Sequence, residues 1–283
     1  MTNEKASRGR SEHHDDHGGF ARDLVTIEQR RTGRRRVLWM FGGLVAATPI
    51  AACRGVSVAM NSDAGVDDAA GGTSGQSCTS IPEETAGPYP GDGTNGPNAL
   101  AMSGIERSDL RASLTGSAVA EGVPLTVTLT ILDASCAPVA GRAVYLWHCD
   151  RSGSYSLYAA GLEEVSYLRG VQVSDANGRV TFTTIVPGCY SGRWPHMHFE
   201  VFDDLASATS GNEAIATSQL ALPEDTCALV YATSGYEASV SNLASTSLTS
   251  DNVFRDDGAE QQLASVSGDV SSGFVASLSV MAG

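Results

Sequence analysis

Along residues 125–131 the chain reads Leu-Thr-Val-Thr-Leu-Thr-Ile, apolar and polar in strict alternation. That period of two predicts a half-buried β-strand. After a turn at 133–141, residues 142–149 are apolar on both faces (Val144 and Leu146 against Tyr145 and Trp147), which predicts an inner strand. Further strands are expected at 170–173 and 179–186. They flank Asp175-Ala176-Asn177-Gly178, and Asn-Gly between two such runs predicts a hairpin. Residues 197–202, 217–222, 262–266 and 274–280 supply the rest. No long stretch carries a 3.6-residue period. Many short strands at roughly ten-residue spacing predict an all-β fold, a single β-sandwich.

The chain ahead of this body is of another kind. Arg34-Arg35-Arg36 precedes an apolar stretch from Val37 to Ala52 that Gly42, Gly43 and Pro49 interrupt. It is short for a membrane span, which needs about 20 residues, and it resembles a twin-arginine export signal. The stretch ends Ile50-Ala51-Ala52-Cys53, similar to a bacterial lipobox, so Cys53 is the expected lipidation site. Gly, Ser, Ala and Asp dominate the following segment, too polar to bury a core. The expected organisation is a signal peptide at 1–52, a flexible tether at 53–79 and one sandwich domain at 80–283. That places the domain outside the cytoplasm, with the membrane reached only through a lipid.

Charge and histidine count then narrow the chemistry. The net charge is −14 over 283 residues. Nine of the 18 basic residues precede position 37, so the exported part is strongly acidic. Such a field repels phosphate backbones and argues against a nucleic-acid partner. His13, His14 and His17 lie in the leader, leaving only His148, His196 and His198 for chemistry. Two of these three form His196-Met197-His198. On a strand they share one face and can grip one ion while Met197 packs behind. Tyr155 and Tyr190 follow strand ends and can approach the pair. Imidazole with phenolate suits a hard cation such as ferric iron. A three-histidine zinc site for hydrolysis, using His148, His196 and His198, stays open on residue type alone, as does a non-catalytic sandwich that binds or carries. A serine hydrolase is poorly supported, for no Gly-x-Ser-x-Gly occurs. After Cys53 the cysteines are Cys78, Cys136, Cys149, Cys189 and Cys227, an odd number, and Cys136 with Cys149 is the first pairing expected.

A series of short strings occurs in order between residues 80 and 257. Glu84-Thr85-Ala86-Gly87-Pro88-Tyr89 opens it, followed by Trp147-His148-Cys149-Asp150 and Gly153-Ser154-Tyr155-Ser156. Leu168-Arg169-Gly170 comes next, then the run from Thr184 through Pro187-Gly188-Cys189-Tyr190 to Arg193. Pro195-His196-Met197-His198-Phe199, Ser218-Gln219-Leu220 and Asp251-Asn252-Val253-Phe254 complete it. Together they resemble the intradiol ring-cleavage dioxygenases, in their secreted protocatechuate 3,4-dioxygenase-like branch. The resemblance implies a β-sandwich that holds non-haem Fe(III) through Tyr155, Tyr190, His196 and His198, with Tyr190 and His196 axial. It implies that Tyr190 also accepts a substrate proton, that Arg193 stabilises charge on the bound ring, and that Gln219 and Tyr89 line the pocket and its mouth. The implied substrates are a small catechol-type diol and O2, and the implied product is a cis,cis-muconate-type acid. No organic cofactor is implied. Two features depart from the wider family. Only six residues separate Tyr190 from His196, as in the secreted branch, and Cys189 stands where an aromatic is expected; a disulfide to Cys227 would replace that packing.

Overall fold

The alternating segment becomes β1 (Pro124–Leu132) at the centre of a sheet. The computed structural model describes residues 79–211 and 213–282. The signal peptide expected at 1–52, the tether up to residue 78 and the lipidation candidate Cys53 lie outside the described residues. Eight strands form two four-stranded sheets. One has the order β4 (Arg179–Ile185), β1, β8 (Gly273–Met281), β7 (Ser265–Asp269). The other has the order β3 (Arg169–Val173), β2 (Ala143–Trp147), β5 (His196–Phe202), β6 (Ala216–Ala221). Every pairing is antiparallel except β1 with β8, which runs parallel from Leu125 opposite Phe274 to Leu132 opposite Met281.

The core between the sheets follows from the alternation. Leu125, Val127, Leu129 and Ile131 of β1 meet Val144, Leu146, Met197, Phe199 and Leu220 of the second sheet. Each such side chain contributes about 1.5–3 kcal/mol on full burial. The second sheet is buried on its other face as well, so β2, β5 and β6 have no exposed side, although β5 and β6 carry His196, His198, Glu200, Thr217 and Gln219 on that face. There Tyr145 and Trp147 form a second core with Ala99, Leu100 and Ile105 of the chain ahead of β1, and with Tyr155 and Leu157 of the loop after β2. Three short α-helices, α1 (Leu205–Thr209), α2 (Glu224–Tyr231) and α3 (Glu237–Ala244), and one 3-10 turn (Phe254–Asp256) complete the described residues.

The Asn177-Gly178 turn does not close a hairpin. β3 and β4 belong to different sheets. Residues 105–110 occupy the edges through which they would pair: Val171 N donates to Ile105 O and Arg107 N to Val171 O, while Thr183 N donates to Ser108 O and Leu110 N to Thr183 O. The turn therefore carries the chain across the sandwich. The strand expected at 262–266 likewise starts later, at Ser265, because Gln262 O and Ala264 N first bond Ala221 at the end of β6.

Both expected disulfides are absent. Cys149, Cys189 and Cys227 are free and buried, whereas Cys136 is disulfide-bonded. Cys136 lies in the turn before β2 and Cys149 just beyond its other end, so a strand about 13 Å long separates them at about 3.3 Å per residue. The Cys149 thiol instead donates to Gly188 O (3.4 Å). The Cys189 thiol donates to Arg193 O (3.4 Å), which satisfies it inside its own loop.

Candidate metal centre

The site lies on the face of the second sheet turned away from the inter-sheet core. His196 and His198 are on β5 with Met197 behind them in the core, and Trp147 stands directly across from His198. The Trp147 ring stacks on the His198 ring at 5.0 Å with 7° between planes. His196 Nδ1 lies 2.5 Å from Trp194 O. A carbonyl accepts only, so Nδ1 carries the proton and Nε2 is left with its lone pair. That Nε2 lies 3.2 Å from His198 Nε2 and 3.3 Å from the Tyr190 hydroxyl. Burial holds both imidazoles well below the usual histidine range, helped at His196 by the Arg193 charge and at His198 by its neighbours His196 and Arg193. Both are therefore neutral, the form that ligates a metal.

The tyrosines arrive from different sheets. Tyr155 follows β2 and is buried; Tyr190 follows β4 and is half-buried. Their rings lie 6.0 Å apart, with Tyr155 6.2 Å from His198 and Tyr190 5.6 Å from His196. Each loop has a local reason for its shape. In the first, the Asp150 carboxylate accepts from Ser152 N (2.9 Å) and Ser154 N (3.0 Å), an Asx-type turn. In the second, the loop is held from behind: Ser239 and Asn242 of α3 bond the Cys189 amide and carbonyl, and Tyr231 of α2 bonds Pro187 O. The two loops meet at Gly188, whose N donates to Asp150 O (2.9 Å). A Cβ there would stand 2.6 Å from Arg151 O, so only glycine permits this approach.

Arg193 is buried rather than a surface residue. Its Nε donates to Asp251 Oδ2 (2.9 Å) in an ion pair wholly withdrawn from solvent, and its Nη2 donates to Gln219 Oε1 (2.6 Å). Gln219, opposite His198 on β6, gives its amide N–H to Thr85 O (2.9 Å). Asp251 also accepts from Trp194 N, Val253 N and Phe254 N. Phe254 lies beneath the Arg193 guanidinium (5.9 Å) and beside His196 (6.5 Å). Tyr89 packs on Tyr155 at 4.9 Å and on Tyr158 at 5.2 Å. The sequence reading did not assign roles to Asp251 or Trp147, although both stand in the strings that carried the resemblance, and it missed Ser239 and Asn242, which carry no local signal.

His148 does not join the pair. It follows Trp147 onto the opposite face, with Nδ1 2.7 Å from Cys149 O and Nε2 2.7 Å from Thr184 Oγ1. Both nitrogens are engaged. Among the described residues no group of three or more His, Cys, Asp or Glu could hold a metal ion, which removes the three-histidine zinc arrangement. The set that converges is two imidazole nitrogens and the Tyr190 oxygen, with the Tyr155 ring beside them. The His196 Nε2 lone pair faces His198 Nε2 at 3.2 Å, a contact that is favourable with a proton on His198 Nε2 or a cation between the two nitrogens. This donor set fits a hard, highly charged ion such as ferric iron.

Comparison with known proteins bears on the family and the fold. The profile of a family described as Dioxygenase matches residues 95–223. The protocatechuate 3,4-dioxygenase beta chain of Burkholderia cepacia is 35% identical over 106 residues, covering 32% of this chain and 45% of that one. The chain thus spans less than half the length of that curated relative. An intradiol ring-cleavage dioxygenase from Tetranychus urticae superposes with a TM-score of 0.56 at 26% identity, covering 72% of this chain and 94% of that one. A second dioxygenase structure gives 0.57 at 26% identity, covering 73% and 95%. With the sandwich, the strings between residues 80 and 257 and these relatives in agreement, the chain is similar in fold and in sequence to the intradiol ring-cleavage dioxygenases.

Proposed function

We propose that this protein opens the ring of catechol-type diols between the two hydroxyl-bearing carbons, using O2 and a non-haem Fe(III), to give cis,cis-muconate-type diacids. The observation that carries the reading is that His196 Nε2 lies within 3.3 Å of both the Tyr190 hydroxyl and His198 Nε2, with the Tyr155 ring beside them. Tyr155, Tyr190 and the two histidines would hold the iron, which when bound supplies Lewis acidity toward the diol oxygens and a route for electrons to O2.

The protein's own residues do the rest. The Nδ1–H to Trp194 O bond keeps the His196 lone pair aimed at the centre. Tyr190 is the more exposed of the two tyrosines, which supports the reading that its oxygen would take a proton from an incoming diol. Arg193 sets a fixed cation beside His196, preorganised by Asp251 and Gln219, where negative charge develops on the ring; such fixed charge costs no reorganisation at the moment of reaction. Tyr89 and Trp147 give the pocket apolar walls that exclude water. We further infer that the domain works outside the cytoplasm on a lipid anchor at Cys53. The leader pattern supports that reading, and so does the disulfide at Cys136, since disulfides persist in oxidising compartments.

The test is to purify the full chain, load it with Fe(III) and record the visible spectrum and O2 uptake with catechol. A broad phenolate-to-iron band and O2 uptake are expected, the band altered in Tyr155→Phe and lost when Tyr155 and Tyr190 are both replaced by phenylalanine. A protein that stays colourless after iron loading overturns the reading.

A further inference from the structure

Opposite Trp147, and so on the same face of the sheet, stands Arg169, the first residue of β3. It is among the largest fully buried side chains of the molecule, and no role above uses it. Its guanidinium makes five hydrogen bonds. Nε donates to Ser156 Oγ (3.0 Å), Nη1 to Pro90 O (2.8 Å) and the Tyr145 hydroxyl (3.2 Å), and Nη2 to Tyr89 O (3.0 Å) and Ser156 O (2.9 Å). Its carbon also lies 5.5 Å from the centre of the Tyr158 ring. The chain threads closely past it: Gly91 has φ +64, and a Cβ there would come within 2.7 Å of Nη1.

Three of these contacts are with main-chain carbonyls, in two separate segments. Ser156 directly follows Tyr155, and the guanidinium grips both its carbonyl and its hydroxyl. Residues 89–90 present the aromatic that packs on the Tyr155 ring at 4.9 Å. The geometry points to Arg169 as a positioning residue: it fixes the Tyr155 loop against the Tyr89 segment, so that the Tyr155 oxygen and the mouth of the pocket keep one mutual arrangement. The assignment deepens the proposed function, resting on Tyr155 as an iron ligand. A planar fork suits the task because its donors point in fixed directions toward several acceptors at once. A lysine carries the same charge but offers only three donors from one point.

The experiment compares wild type, Arg169→Lys and Arg169→Met in the full chain. Amide hydrogen exchange on the metal-free proteins is expected to run about tenfold faster or more at residues 88–92 and 155–159 in both variants, with β1 and β8 unchanged. After iron loading, the phenolate band of both variants is expected to move from the wild-type position, and kcat to fall with KM raised. Wild-type exchange in those two segments, or a lysine variant that matches wild type in exchange and band position, overturns the assignment. If Arg169→Met does not fold, Arg169→Lys decides alone. A wild-type protein with no band refutes the iron reading instead, and the exchange comparison still judges the positioning role.

Discussion

Replacing Asp251 with asparagine removes one charge and changes almost no volume. In the native protein one carboxylate oxygen accepts from Arg193 Nε (2.9 Å) and Trp194 N (2.6 Å), and the other from Val253 N (2.7 Å) and Phe254 N (3.1 Å). Whichever way the amide turns, its NH2 faces two donors, so two hydrogen bonds become two repulsive contacts. The Arg193 cation keeps its place out of solvent but loses its compensating charge. Removing one member of a buried pair costs about 3–5 kcal/mol, a large share of a total stability of about 5–15 kcal/mol. For a domain of this size each kcal/mol moves Tm by about 2–4 °C, so a fall of about 6–20 °C is expected. Thermal and urea unfolding of wild type, Asp251→Asn, Arg193→Gln and the double variant measure it. In the Arg193→Gln background the asparagine is expected to cost under about 2 kcal/mol, since no cation is left stranded. The reasoning is refuted if Asp251→Asn lies within about 1 kcal/mol of wild type, or costs the same in both backgrounds.

Three further outcomes follow from other parts of the molecule. Burial lowers the His148 pKa to about 4; the folded value lies below the unfolded one, so the unfolded chain takes the proton first and stability drains away as pH falls from about 6.5 toward 4. The full difference is about 3 kcal/mol, and the wild-type urea midpoint should therefore drop more steeply over that range than that of His148→Gln. Equal slopes would contradict it. Cys149, Cys189 and Cys227 are buried, and burial pushes the Cys189 thiol up to about 12, with the other two raised as well. All three should resist a water-soluble disulfide reagent at pH 8 and react on unfolding, by peptide mapping; rapid native labelling of any one would show that its burial is wrong. Gly188→Ala puts a methyl 2.6 Å from the Arg151 carbonyl and 2.8 Å from Gly153 N, atoms that cannot yield. A loss of about 1–3 kcal/mol is expected in urea unfolding, with weaker iron retention because the Tyr155 and Tyr190 loops are pushed apart. A variant as stable as wild type would mean that the loops are not in contact.

How much of this was legible in the sequence depended on whether a residue's partners lie near it in the chain. The alternation at 125–131 and the doubly apolar run at 143–147 specified β1 and β2 because each strand's faces are written in its own residues. His196-Met197-His198 was readable for the same reason. The Asn177-Gly178 turn misled because its local chemistry favours a hairpin, while the decision lies with residues 105–110, which have no periodicity and pair outward to both strands. Arg169 and Asp251 read as ordinary charged residues. Their burial follows from acceptors and donors brought from up to 80 residues away, such as Tyr89 and Arg193, a relation that no local window contains. The short helices α2 and α3 escaped because at eight residues each they span scarcely two turns of a 3.6-residue period.

The parallel partnership of β1 with β8 governs when this domain can exist during synthesis. Leu125 pairs with Phe274, about 150 positions later, and β8 is an inner strand between β1 and β7 rather than an ornament at the edge. A ribosome that has released only the first 270 residues has therefore made every candidate ligand of the centre but not the strand that completes the sheet beneath the Tyr190 loop. Until Gly273–Met281 emerges, Val127 and Leu129 have an open flank toward solvent. Such long-range pairing slows folding, so completion of the sheet, and with it assembly of the site, is expected to follow synthesis of β8.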